Sequence, residues 1–296
     1  MQTKRNKVYP YFLLAPALAV LFAVNLYPAL YSIYLAMHRT KRGIMEFVFL
    51  KNFELIFKDS NFFESLKLTL IFLIAYVFFT TFLAYLFALA LNKPRRLNVF
   101  YITAIFVPWV LSDITSGIVW RWMFYHRYGI IQNLIEPLIG GKTLIGTPWG
   151  ALAIVVVASI WRSVSFSMVL LLAGLQTIPR EIHEAASIDG ANNWNKFWRI
   201  TWPLTLPTTL VVIIFLSIQA VNNVGLILVI TSGGPGRATE LLSLMMYREA
   251  IVFFNFGYGS AIAVILLTIN IILALIYFQT LRRGGTLSDI RTMEAQ

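Results

Sequence analysis

No cysteine occurs anywhere in the 296 residues, which excludes disulfide scaffolds, thiolate metal sites and thiol nucleophiles. Charge is scarce too: Asp, Glu, Lys and Arg make up 12% of the chain, against roughly 25% in soluble domains. Only three histidines are present, His38, His126 and His183, and they are too scattered for a metal cluster. His183 reads as a surface residue rather than a catalyst. There is no Gly-x-x-x-x-Gly-Lys-Ser/Thr loop to cradle phosphates and no carboxylate pair in a candidate cavity, so the chain is expected neither to bind ATP nor to be an enzyme. It calls for no metal and no cofactor.

What is abundant is apolar. Hydrophobic residues account for 58% of the chain, above the roughly 45–50% of soluble domains. Such a chain cannot cover itself with polar groups, so its outer surface is expected to meet lipid. The formal charge of +11 is no nucleic-acid signature, because Lys and Arg sit in short clusters beside apolar runs, where headgroups and topology signals place them. Six runs reach the roughly 20 residues a span needs. They lie near 9–37, 66–91, 99–124, 150–174, 204–230 and 259–281. The first is too long for a signal-peptide core and reads as a retained anchor. The expected class is an all-α membrane protein of six transmembrane helices, in one transmembrane domain over residues 1–296.

Orientation follows from the basic residues. With the N-terminus in the cytoplasm, Lys4, Arg5, Lys7, Lys93, Arg95, Arg96, Arg180, Lys196, Arg199, Arg282, Arg283 and Arg291 fall on one side, in four short segments. Arg39, Lys41, Arg42, Lys51, Lys58, Arg127, Lys142, Arg237 and Arg248 fall on the other, spread over longer loops. Density favours cytoplasmic termini at both ends, although Arg39 to Arg42 count against it.

Between the fourth and fifth runs lies a polar island, residues 175–203. Pro179 suits a first helical turn, Glu181 and Glu184 suit the positive end of a helix dipole, and Gly190 suits a left-handed helix end. The spacing predicts a surface helix of about ten residues, too short to cross. Ala185 and Ala186 give it a small-sided patch and Ile182 and Ile188 apolar knobs. After Gly190 the chain restarts at Asn192 or Asn193 and turns at Pro203 into the next span. On these features alone the helix is equally an ordinary amphipathic surface helix.

The fixed offsets say more. Glu184-Ala185-Ala186, three residues, Gly190, nine residues, then Ile200-Thr201-Trp202-Pro203 resembles the cytoplasmic loop of binding-protein-dependent ATP-binding-cassette import permeases, with Trp202 where the family has Leu. Thr231-Ser232-Gly233-Gly234-Pro235 with Thr239, Gly129 to Leu134, and Asn255-Phe256-Gly257-Tyr258-Gly259 resemble segments of its sugar and glycerol-phosphate branch. The resemblance implies one half of a pore in a bacterial inner membrane. Its implied partners are a second, unlike permease, a cytoplasmic ATPase dimer that hydrolyses the ATP, a periplasmic solute-binding protein, a carbohydrate substrate and surrounding lipid. It makes the Glu184 helix a coupling helix, with Glu184, Ala185, Ala186, Asp189, Gly190 and Pro203 as its ATPase-coupling residues.

A solute site must come from polar and aromatic side chains inside spans, since these are costly in lipid. Span five carries Gln219, Asn222 and Asn223, whose i, i+3, i+4 spacing predicts one helix face of amides able to bond hydroxyls in both directions. Span four carries Trp161, Arg162, Ser163 and Phe166, and the resemblance to maltose-type permeases places Trp161 and Asn223 at the sugar site. The competing reading is that the amides bind helices to each other and the Trp is packing. Asp113 and Arg121 in span three and Arg162 in span four are the charges inside spans. Asp113 can neutralise either arginine, or Arg162 can receive an anionic solute. The alternative function is an ion-gradient-driven secondary transporter of a small polar solute working through Asp113 and Arg162. Such folds commonly carry inverted repeats, and none is clear here.

Overall fold

The computed structural model describes residues 9–41, 44–93 and 96–283. Lys4, Arg5, Lys7, Arg42, Arg95 and Arg291, which the charge count uses, lie outside them. Five helices are long and apolar enough to cross a membrane: Leu14–Ala36, Ser60–Leu91, Pro148–Gln176, Asn193–Val221 and Phe256–Thr280. A further pair, Asn98–Val110 with Asp113–Met123, is apolar enough only when taken together and is bent by 96°, as a broken span or a re-entrant loop. The chain is thus an all-α protein of five to six spans. Its only strands among the described residues form a short hairpin, β1 (His38–Lys41) and β2 (Ile44–Phe47).

Two compact units emerge, residues 1–62 with 245–267, and residues 63–244 with 268–296. In the first, α1 (Tyr9–Leu21) passes through a π-helical turn into α2 (Tyr27–Ala36), followed by the hairpin and α3 (Lys51–Lys58). Asn52 is buried and its amide nitrogen donates to the Ala36 and His38 carbonyls at 2.8 and 2.9 Å, closing the end of α2. A Cβ on Gly257 would lie 2.1 Å from that His38 oxygen, so the position admits only glycine. On the outer face of α3 the Lys58 ammonium donates to Glu54 and holds its carboxyl below the usual carboxylate range.

The second unit holds α4 (Ser60–Leu91) from residue 63 onward, α5 (Asn98–Val110), α6 (Asp113–Met123), α7 (Ile130–Ile135), α8 (Pro148–Gln176), α9 (Arg180–Ile188), α10 (Asn193–Lys196), α11 (Trp202–Val221) and α12 (Gly225–Ile230). The start of α13 (Leu242–Tyr247) and the end of α14 (Phe256–Arg283) complete it. Helix α8 is its axis: 61% of its most apolar window is enclosed, against 28% for α4. Its serines are satisfied or packed inside, Ser163 accepting from the Tyr76 hydroxyl at 2.6 Å and Ser165 donating to the Ile105 carbonyl. Small residues let the helices close up, as packing in lipid requires. Gly174 faces Thr208 of α11, where a Cβ would come within 2.7 Å, and Gly117 of α6 faces Val229 of α12 at 2.8 Å.

Three expected boundaries change. The run 99–124 is not one helix, because α5, with Pro108 in its last turn, ends at Val110 and Ser112 starts α6 by accepting from the Thr115 amide at 3.1 Å. The run 204–230 breaks after Val221. Pro203 does not turn the chain either: helix runs on from Asn193 to Val221 through a π-helical turn at Phe197–Thr201. There the Trp202 amide reaches back to Phe197, and the wider turn accommodates prolines that cannot donate.

We expect Gly117→Leu to destabilise the protein by about 1–3 kcal/mol through overpacking. Thermal denaturation in detergent should show it, while Ile118→Val, on an exposed face, should melt like the parent. Equal melting of all three would refute the close α6–α12 contact.

Candidate functional site

The break in span three exposes backbone that lipid cannot hydrate, and α8 supplies the partner. Arg162 donates from Nε to the Leu111 carbonyl at 3.2 Å and pairs through Nη1 with Asp113 at 2.9 Å. Its guanidinium also lies 5.4 Å from the centre of the Trp109 ring. One side chain therefore grips both ends of the break. Of the two partners foreseen for Asp113 this is the one formed, while Arg121 donates instead to the Val229 carbonyl at 3.3 Å.

Beside this clamp lies a polar cavity of about 40 Å3. Arg162 and Ser163 line it from α8, with Asp113 from α6. Gln219, Asn222 and Asn223 close it from the end of α11 and the residues after it. The three amides do not share a helix face, since α11 stops at Val221 and Asn222 is its C-cap. They converge because the chain unwinds there, with the Ser243 hydroxyl donating to the Asn223 carbonyl at 2.7 Å. Asn223 donates from Nδ2 to the Ser159 hydroxyl at 3.3 Å, and its Oδ1 is buried without a partner. Gln219 makes no hydrogen bond among the described residues. Asn222 is tied to the Ile218 carbonyl and Asn270.

Trp161 and Phe166 stand apart from this cavity. Trp161 meets Trp120 edge to face at 5.9 Å, and Phe166 stacks on Trp109 at 4.6 Å and touches Phe215. Tyr76, Ser159 and Leu226 line the cavity and went unnoticed in the sequence. Ser159, Arg162 and Ser163 stand at i, i+3 and i+4, a helical-face spacing that was available to find the first of them. Tyr76 had no such signal, being one aromatic in a long apolar run. The cavity's formal charges cancel, leaving amides and hydroxyls. A larger groove of about 800 Å3, lined by residues such as Phe78, Trp194 and Trp202, is almost wholly apolar and offers little to a hydroxylated ligand.

Helix α9 carries the other set of candidate residues. Pro179 is its N-cap rather than its first residue, and no side chain of α9 is buried. Gly190 adopts φ +77°, the Ala191 amide bonds the Ala186 carbonyl at 2.9 Å and the Gly190 amide bonds Ser187 at 3.1 Å, together a Schellman end. Glu184 makes no hydrogen bond or ion pair among the described residues, and Ile188 is 88% exposed. Glu184, Ala185, Ala186, Asp189 and Gly190 thus sit on one exposed capped helix, tied to the next by the Lys196 ammonium donating to Ser187 Oγ at 2.6 Å, whereas Pro203 lies inside the following long helix.

An all-α multi-span fold with a charge-balanced polar cavity between its helices defines a multi-pass membrane protein with an internal polar site. The chain belongs to the family of binding-protein-dependent transport system inner membrane components, whose model matches residues 80–283. It is 30% identical to the sulfoquinovosyl glycerol transport system permease protein SmoG of Agrobacterium fabrum, covering 94% of this chain and 91% of that one. It is 33% identical to the sn-glycerol-3-phosphate transport system permease protein UgpA of Brucella suis, over 93% of this chain and 94% of the relative. The trehalose/maltose transport system permease protein MalF of Thermococcus litoralis is 32% identical, over 91% of this chain and 92% of its own. The fold matches a chain of a bacterial alginate ABC transporter crystallised with an alginate pentasaccharide-bound periplasmic protein, with a TM-score of 0.79, 20% identity, and 94% and 96% of the two chains covered.

We expect Asp113→Asn and Arg162→Gln to be non-additive in detergent melting. Asp113 is 44% exposed, so screening keeps the coupling to about 0.5–1 kcal/mol. Strict additivity would mean the ion pair holds nothing.

Proposed function

We propose that this chain is the transmembrane subunit of an ATP-driven importer that moves a sugar or sugar-like solute into the cytoplasm by alternating access. The observation that carries the reading is the reach of the family match. Residues 80–283 take in the capped α9 helix and every residue lining the polar cavity except Tyr76. The relatives' names supply the solute class: sulfoquinovosyl glycerol, sn-glycerol-3-phosphate, trehalose and maltose. The cavity's chemistry suits it, because amides and hydroxyls donate to and accept from sugar hydroxyls.

In this reading residues 1–296 act as one permease domain with both termini in the cytoplasm. It works with a second permease, a cytoplasmic ATPase dimer and a periplasmic solute-binding protein. ATP is hydrolysed on the ATPase. Helix α9 seats in a groove of that subunit through Glu184, Ala185 and Ala186, and Asp189 and Gly190 close its end. A helix whose last carbonyls are bonded by its own cap moves as a rigid body. The push passes to α8 through residues 177–179 and to α11 through the unbroken helix that contains Pro203. Arg162, Ser163, Gln219, Asn222 and Asn223 are the solute-contacting residues, with Asn223 Oδ1 an acceptor already buried and unspent. Trp161 and Phe166 join them only if transport rearranges the helices, since Trp161 now packs against Trp120 and Phe166 against Trp109.

The test is uptake of labelled solute by cells carrying the complete transporter. Glu184→Lys should reduce uptake on the order of tenfold or more by reversing a charge at the contact. Gly190→Ala should reduce it less, because no atom lies within 4 Å and only the left-handed backbone is penalised, by about 1–2 kcal/mol. Both variants should reach the membrane in normal amounts, and parental uptake by both would overturn the coupling role.

A further inference from the structure

A second, larger cavity opens where α6 and α12 end, and the site above makes no use of it. It measures about 440 Å3, within the roughly 300–1,000 Å3 of ligand pockets, against about 40 Å3 for the Asn223 cavity. Its position follows from local sequence. Gly117 lets α12 approach α6, and Arg121, one turn further on the same face, is thereby set against the Val229 carbonyl. Beyond α6 the chain presents Tyr125 and His126 to the cavity. Beyond α12 it presents Thr231, whose hydroxyl is anchored to the Ile227 carbonyl at 3.1 Å and to Thr239 at 2.7 Å. Thr143 faces them from the segment before α8.

The chemistry of this lining has one sign. It contains a guanidinium, an imidazole, a phenol and two threonine hydroxyls, and no carboxylate. Arg162 is paired with Asp113 and Arg237 with Glu240 at 3.0 Å, but Arg121 makes no ion pair among the described residues. Its single hydrogen bond to a neutral carbonyl leaves most of its N–H donors uncommitted. An arginine held at the edge of a roomy cavity, permanently charged and planar, matches an oxyanion in both charge and geometry. Phe124, Ile145 and Ile230 add apolar wall for the carbon face of such a ligand.

We infer that this cavity is a separate subsite for a hydroxylated solute bearing a carboxylate, sulfonate or phosphate group, with Arg121 as the residue that holds the oxyanion. The role assigned to the bound solute rests on the importer reading. Binding itself is measurable without transport.

The experiment is calorimetric titration of the full chain in phosphatidylcholine nanodiscs at constant ionic strength, with D-glucuronate and D-glucose as probes. Saturable glucuronate binding is expected, weakened on the order of tenfold or more by Arg121→Gln and less by Arg121→Lys, with glucose no tighter for the parent than for the variant. Inorganic sulfate should compete with glucuronate, a result that depends on no variant. Asn223→Ala should keep glucuronate binding while losing uptake in the complete transporter, so failure here and failure of the importer reading are told apart. The inference is overturned if the parent binds no glucuronate, if Arg121→Gln with parental melting behaviour binds it as well, or if glucose binds equally. It is also overturned if exchanging phosphatidylcholine for phosphatidylglycerol abolishes glucuronate binding, since the cavity would then hold a lipid headgroup.

Discussion

The break between two apolar helices, α5 and α6, is the constraint on which the rest of this structure depends. Between α5 and α6 the Leu111 carbonyl has no helical donor, and a polar group left unsatisfied away from water costs several kcal/mol. Arg162 removes the difficulty by donating to the Leu111 carbonyl, and Asp113 removes the one it creates by neutralising the guanidinium. The pair lies against the polar cavity, so the same groups that permit the break also set its electrostatic character. A cavity lined by a cancelled charge pair, amides and hydroxyls is suited to ligands that hydrogen-bond without carrying net charge.

The second break, after Val221, serves the cavity in a different way. Unwinding releases Asn222 and Asn223 from α11, and the Asn223 amide turns to Ser159 while its oxygen stays unpaired. Amides on a continuous helix would have been held at fixed angles to α8. Irregular backbone within a span is tolerated where it lines a cavity, as Asn222 and Asn223 do.

Much of this was legible in the sequence. The apolar runs located the long helices, the fifth with its bounds displaced from 204–230 to Asn193–Val221, because a stretch too apolar for water has few alternatives to a membrane helix. Gly190 announced the end of α9, since a left-handed residue with φ +77° favours glycine strongly. Arg162, Ser163, Gln219, Asn222 and Asn223 were all picked out as polar groups in an apolar setting, and all five line one cavity. Trp161 and Phe166 were picked out on aromaticity, and they pack against Trp120 and Trp109. A ring that stacks on a sugar is indistinguishable in sequence from a ring that stacks on its neighbour.

Composition, periodicity and punctuation determined that this is a multi-span helical protein with a short exposed helix between its fourth and fifth crossings. Those properties depend on residues near each other in the chain, and hydrophobicity, capping and left-handed backbone act over a few positions at most. Only the tertiary structure decided that the third and fifth runs are broken and that Asp113 belongs to Arg162 rather than Arg121. It alone placed Tyr76 and Ser159 beside the amides. Those outcomes turn on contacts between segments far apart in the chain, as between Leu111 and Arg162 or Tyr76 and Ser163. The partner that satisfies a freed backbone group in lipid is chosen by which helix packs there.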